Sequence, residues 1–207
     1  MINRHSSNPF TFFIMAKPES QNTLLMYVND VLALERDIKE SVALQMASAV
    51  DLHNPDATAF LHQLALSTSA RHESLVELSH ALGSGAGALK ETLAAAAGFL
   101  TGLYGKVRKH AVSRILRDDY TALSLACTAY SMLYTTGVAL RSEPTATLAL
   151  NHLRAVTPLL MTLSHIIPGV VVAELTVDFP ELNQEASAAG RDATASAWSQ
   201  HGEAESP

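Results

Sequence analysis

Disulfides, basic charge and strand-like alternation are all missing from this chain. A single cysteine, Cys127, stands among 207 residues. It excludes a disulfide framework and a cysteine-rich zinc site, and it suits a reducing, cytoplasmic compartment. Charged residues make up only 16%, against about 25% in an average globular chain. The net charge is −6, so the basic footprint of a nucleic-acid-binding domain is lacking. No segment alternates apolar and polar residues as a half-buried strand would. No H-E-x-x-H zinc motif occurs, and Gly83, Gly85 and Gly87 follow a helical segment instead of a strand, which excludes a phosphate-binding loop. The apolar stretch Phe10 to Ala16 is too short and too broken for a signal-peptide core.

What the chain does have is apolar material. Hydrophobic residues make up 48%, enough for a core and too many for a disordered chain. The length suits one domain. Residues 1–20 read as a disordered leader, with Met15 as a second candidate start. Residues 181–207 read as an Ala/Ser-rich tail with a short helix near Glu185–Trp198, whose Trp198 docks on the body.

Between them, the periodicity predicts four long helices. The first spans Asn22–Val50, with a seam of Val28, Val31, Glu35, Ile38, Val42, Gln45 and Ala49. The phrase His53-Asn54-Pro55-Asp56 is a turn in which Asn54 caps and Pro55 opens the next helix. That helix spans Asp56–Leu82, with a seam through Leu61, Leu64 or Ala65, Thr68, His72, Leu75, Ser79 and Leu82; Gly83-Ser84-Gly85 ends it. A connection from Ser84 to Lys109 carries a short apolar helix, Leu89–Leu103. The third long helix spans Ala111–Arg141, with a seam of Leu116, Tyr120, Leu123, Cys127, Tyr130 and Tyr134. Beside that seam runs a stripe of Thr121, Ser124, Thr128, Ser131 and Thr135, read as a close-packed contact in preference to a neutral solvent face. The fourth spans Thr145–Ile167, kinked at Pro158 and ended by Pro168-Gly169.

Ala155–Ala173 and Tyr120–Leu140 contain no Asp, Glu, Lys or Arg, and each approaches the length of a membrane span. Two prolines, His165 and several hydroxyls interrupt the first, and hydroxyls line the second. Buried bundle helices account for both, so membrane insertion is not expected.

Two short turns give two antiparallel hairpins. A helix of about 28 residues is about 42 Å long, so the long connection returns the chain to the far end and sets the second and third helices parallel. The expected fold is all-α, a four-helix bundle with one long crossover. The phrases LERDIKESVALQ (34–45), ARHESLVELSHALG (70–83), LRDDYTALSLACTAYSMLYTT (116–136) and NHLRAVTPLLMTLSHIIPGVVVAEL (151–175) resemble uncharacterised bacterial members of the ferritin-like four-helix bundle superfamily. The resemblance implies a fold and no specific activity.

A ferritin-like di-metal site needs a Glu from each of two helices and a Glu-x-x-His from each of the other two. Glu35 meets the first requirement. Glu77-Leu-Ser-His80 has the right spacing but lies off the seam. The third and fourth helices offer no central carboxylate. The expectation is therefore a bundle with depleted ligands and no catalytic residues. Its buried polar cluster is Glu35, His72, Tyr130 and Tyr134, with Glu35 meeting His72 at equal height across the first hairpin. On the fourth helix the same height falls near Leu159–Leu163. The leading function is non-enzymatic: a structural, stress-related or interaction protein that self-associates, with no cofactor. The alternative is a metal-binding bundle holding iron or another divalent metal on Glu35, His72 and His152. A membrane-associated bundle is the remote third reading.

Overall fold

The computed structural model describes residues 18–48, 54–84 and 111–199. These are helical throughout, with turns between, and no strand occurs among the described residues. The elements are α1 (Pro18–Ser48), α2 (Pro55–Ala81), α3 (Ala111–Ala139), α4 (Glu143–Asp178) and α5 (Ala186–Ser199). Of the leader expected over residues 1–20, Pro18–Ser20 belong to α1 and residues 1–17 lie outside the described residues, as does the short helix expected in the connection.

The helix ends follow local chemistry. The side chain of Asn54 accepts from the Ala57 N–H at 3.0 Å, and Pro55 takes the first helical position. Both satisfy the orphan groups of a helix start. At the other end of α2, Ser84 donates to the Ser79 carbonyl and Gly83 to that of His80, with Gly83 at φ +94°. This is a Schellman stop, which glycine adopts without steric cost. The same pair of bonds closes α3, where Ser142 donates to Gly137 and Arg141 to Val138. Here Arg141 takes the left-handed conformation, φ +56°.

Cross-helix hydrogen bonds fix the directions. Gln21 reaches the Leu82 carbonyl and Ser79 reaches Asn29, so α1 and α2 are antiparallel. Gln45 bonds Asp119 while Tyr130 bonds Glu35, which makes α1 and α3 antiparallel as well. Glu174 accepts from the Val112 and Ser113 N–H groups at 2.8 and 3.3 Å, and His152 meets Tyr130. Hence α4 runs against α3. The neighbours are α1–α2, α3–α4, α1–α3 and α2–α4, so α2 and α3 lie across a diagonal and run the same way.

The α1 seam is buried over Val28, Val31, Glu35, Ile38, Val42 and Gln45. On α3 the buried face is rotated from the expected one. Ala122, Ala126 and Leu133 join Leu116, Leu123 and Tyr130 inside, while Tyr120, Cys127 and Tyr134 are half-buried. The hydroxyl stripe makes no contact seam among the described residues: Thr121, Thr128, Ser131 and Thr135 are exposed and Ser124 is half-buried.

The fourth helix departs most from expectation. It does not end at Pro168-Gly169 but runs through both prolines to Asp178. Proline removes one helical hydrogen bond, and Pro158 is exposed, so the carbonyl it frees lies near water. Beyond Pro168 the helix gains tertiary partners. Val170 is buried, and Glu174 caps the start of α3. The α5 helix packs across the same point, where a Cβ on Gly190 would lie 3.1 Å from Pro168. Trp198 of α5 lies 6.4 Å, centroid to centroid, from Tyr120.

The α3–α4 hairpin is closed by backbone approach. A Cβ on Gly137 would stand 2.7 Å from the Ala146 nitrogen and 3.0 Å from its Cα. Alanine in an open helix position stabilises by about 1 kcal/mol over glycine. Here the sign reverses: Gly137→Ala should destabilise by about 1–3 kcal/mol through overpacking, read from the urea unfolding midpoint.

Candidate functional site

A polar cluster at the centre of the bundle draws on all four long helices, through Glu35 (α1), Arg71 (α2), Tyr130 (α3) and His152 (α4). Glu35 and Tyr130 are wholly buried and Arg71 is 2% exposed. Arg71 grips both carboxylate oxygens, with Nε donating to Glu35 Oε1 at 2.6 Å and Nη2 to Oε2 at 3.0 Å. Bidentate pairing suits the planar guanidinium. Its other donors reach the hydroxyls of Ser67 (2.6 Å) and Thr68 (3.0 Å), one turn back on α2. Tyr130 donates its phenolic proton to Glu35 Oε1 at 2.7 Å.

That last bond fixes the histidine. Tyr130 has spent its only proton on Glu35, so its oxygen accepts from His152 Nδ1 at 3.2 Å. The neutral ring therefore carries its hydrogen on Nδ1 and leaves Nε2 bare. The two rings meet edge to face, 5.2 Å between centroids at 89°. Burial pushes the His152 pKa down to about 4, and the Arg71 charge adds to the effect. Burial also raises the Tyr130 pKa, and Glu35 raises it further. His152 separates this cluster from an open groove of about 350 Å³ between α2 and the start of α4, lined also by Ser74, Glu143, Thr147 and Asn151.

The expected Glu35–His72 contact is replaced by Glu35–Arg71. The 3-4 ladder on α2 runs through Ala57, Leu61, Leu64, Thr68, Arg71, Leu75 and Leu78, all buried. His72 sits one step round the helix and is half-buried. Its pKa is lowered by burial and then by Lys39, with Glu35 opposing, and no hydrogen bond ties it to Glu35. Tyr134 is half-buried and has no hydrogen bond to the cluster. On α4 the level of Glu35 falls at His152, about two to three turns before the expected Leu159–Leu163. Glu77 and His80 are both exposed.

No three His, Cys, Asp or Glu side chains converge to hold a metal among the described residues. Both oxygens of the one central carboxylate are occupied by Arg71 and Tyr130, and the guanidinium has already balanced its charge. A divalent cation would meet a fixed positive group and find a single carboxylate, so this donor set does not fit a di-metal centre. Cys127 is half-buried with its Sγ 3.9 Å from Thr157 Oγ1, and burial raises its pKa. That keeps it a thiol, a poor nucleophile.

Two expectations follow. Glu35→Ala and Glu35→Gln should each cost about 3–5 kcal/mol, because both leave a buried guanidinium uncompensated. Arg71→Met on the Glu35→Gln background should recover much of that loss, whereas His72→Ala should change stability by less than about 1 kcal/mol. Urea denaturation of the set distinguishes Arg71 from His72 as the partner. The second concerns pH. The folded pKa of His152 lies below its unfolded value, so the unfolded chain binds more protons between pH 6.5 and about 4. Stability contributed by the neutral ring is complete above pH 6.5 and is lost as pH falls through that window, by up to about 3 kcal/mol. His152→Gln should flatten this part of the stability–pH curve.

Comparison with protein-family models, with curated proteins and with solved structures finds no match.

Proposed function

We propose that this chain is a ferritin-like bundle in which an arginine occupies the place where that superfamily holds metal. It acts as a non-enzymatic interaction or structural protein of a reducing, cytoplasmic compartment. The observation that carries the reading is the Glu35–Arg71 pair. All four long helices contribute to the central cluster, as all four supply ligands in the superfamily, but here the positive charge is covalently built in. The parallel diagonal of α2 and α3 supports the same topology. Catalysis needs a reacting atom that is activated and accessible. Glu35, Arg71 and Tyr130 at the bundle centre are instead mutually satisfied and buried, and His152 alone of the four borders the groove.

The metal-binding alternative on Glu35, His72 and His152 requires the guanidinium to leave both carboxylate oxygens. Purified protein should bind neither ferrous iron nor zinc in calorimetric titration at neutral pH, and should not accelerate aerobic oxidation of ferrous iron. Stoichiometric binding with rapid oxidation would overturn the reading.

A further inference from the structure

We infer that the groove beside His152 binds a primary alkylammonium ion, which donates a hydrogen bond to the imidazole Nε2. His152 is 9% exposed and lines the groove of about 350 Å³ between α2 and the start of α4. Its Nδ1 is committed to Tyr130. Its Nε2 has no hydrogen-bond partner among the described residues, yet it keeps contact with solvent. A ring that is nine-tenths buried therefore presents a bare lone pair to an open groove. A cleft of this size suits a small ligand.

The other side chains of the groove are arranged to accept. Ser74 spends its proton on the Ala70 carbonyl at 2.9 Å. Thr147 spends its own on Glu143 Oε1 at 3.3 Å. Both hydroxyl oxygens keep lone pairs, and the Glu143 carboxylate only accepts. Of the lining side chains, Asn151 alone brings further N–H groups. A carboxylate or phosphate ligand would find few side-chain donors here, whereas an ammonium with three N–H groups meets several acceptors. Leu148 and Pro144 line the same groove and offer an alkyl chain apolar surface to cover.

Charge selects a cation. The stretches that flank the groove, Arg71–Ala81 on α2 and Glu143–Leu153 on α4, carry Glu73, Glu77 and Glu143. Arg71 is the one Lys or Arg in them, and it is already bound by Glu35. Arg141 and Arg154 lie just outside these stretches and do not line the groove. The His152 ring stays neutral, since burial and the Arg71 charge hold its pKa at about 4. It is an acceptor throughout the neutral range, so the positive charge has to come from the ligand. An ammonium in the open groove avoids the burial that opposes a charge on the ring itself. A metal ion fits less well. No group of three His, Cys, Asp or Glu converges among the described residues, and a single imidazole leaves most of a coordination shell unfilled.

This site goes beyond the non-enzymatic reading and stands apart from it. Its test is nitrogen-15 NMR of the imidazole nitrogens in the full chain at neutral pH, titrated with hexylamine and, separately, with hexanol. Hexylamine should shift His152 Nε2 saturably while Nδ1 keeps its proton, with a dissociation constant on the order of millimolar, as expected of so small a ligand. Hexanol, which has the chain without the charge, should bind at least fivefold more weakly. His152→Phe should abolish saturable binding, followed through the backbone amides of Ser74 and Leu148. Glu73→Gln combined with Glu143→Gln should weaken binding at least twofold, and because both positions are exposed this variant serves should His152→Phe fail to fold. Glu40→Gln on α1 should leave binding unchanged. An Nε2 that does not move in a large excess of hexylamine, hexanol binding as well as hexylamine, or binding undiminished in either groove variant would overturn the inference. A shift with zinc chloride and none with hexylamine would overturn it together with the metal-free reading, whereas no response to either ligand would overturn the amine site alone.

Discussion

The Glu35–Arg71 ion pair constrains everything else at the centre of this bundle. A carboxylate and a guanidinium removed from water cost several kcal/mol each unless their geometry is excellent and their remaining valences are filled. Here two short bonds join them, Ser67 and Thr68 take the outer guanidinium protons, and Tyr130 takes the remaining lone pair on Oε1. That demand propagates outward. Tyr130 must give its proton inward, so His152 must carry a hydrogen on Nδ1, while burial and the Arg71 charge favour the neutral ring. The pair therefore sets the state of residues on all four helices.

Two other polar contacts bracket the cluster, Ser79 with Asn29 and Gln45 with Asp119. All three layers cross between helices and all are buried. Sliding α1 by one turn along α2 or α3 would break every layer at once. Apolar neighbours such as Val28, Val31, Ile38 and Val42 would tolerate such a slip far better, because one aliphatic contact substitutes for another. The apolar seam supplies the drive to associate, and the polar layers specify the register in which association is allowed.

Much of this was legible in the sequence, for physical reasons that can be named. The α1 seam was readable with its Glu35 and Gln45 interruptions, because the 3-4 spacing is unbroken there. The α2 start was readable because Asn54-Pro55 is a complete cap. Arg71 was not found: Thr68 to Leu75 can be spanned through 71 or 72, and arginine is so rarely buried that His72 drew the seam to itself. The regular ladder from Ala57 to Leu78 was the signal that favoured Arg71. The end of α4 was misread because Pro168-Gly169 is a strong local stop, while the contacts that override it, Val170 in the core and Glu174 on the α3 start, are tertiary. The hydroxyl stripe on α3 was visible as a pattern, but its exposure depends on which face Ala122 and Ala126 turn inward to let α1 approach.

The cation at the centre of the bundle is a side chain, Arg71, held by Glu35. The Arg71 Nε–H proton reports on this directly, since it sits in the 2.6 Å bond to Glu35. In nitrogen-15 NMR at neutral pH, that resonance should be displaced from the exposed arginines. It should exchange with water as slowly as buried amides of α1, and stay unmoved when ferrous iron or zinc is added. An Arg71 Nε–H that exchanges like a surface arginine, or that shifts and broadens on metal addition, would contradict the account.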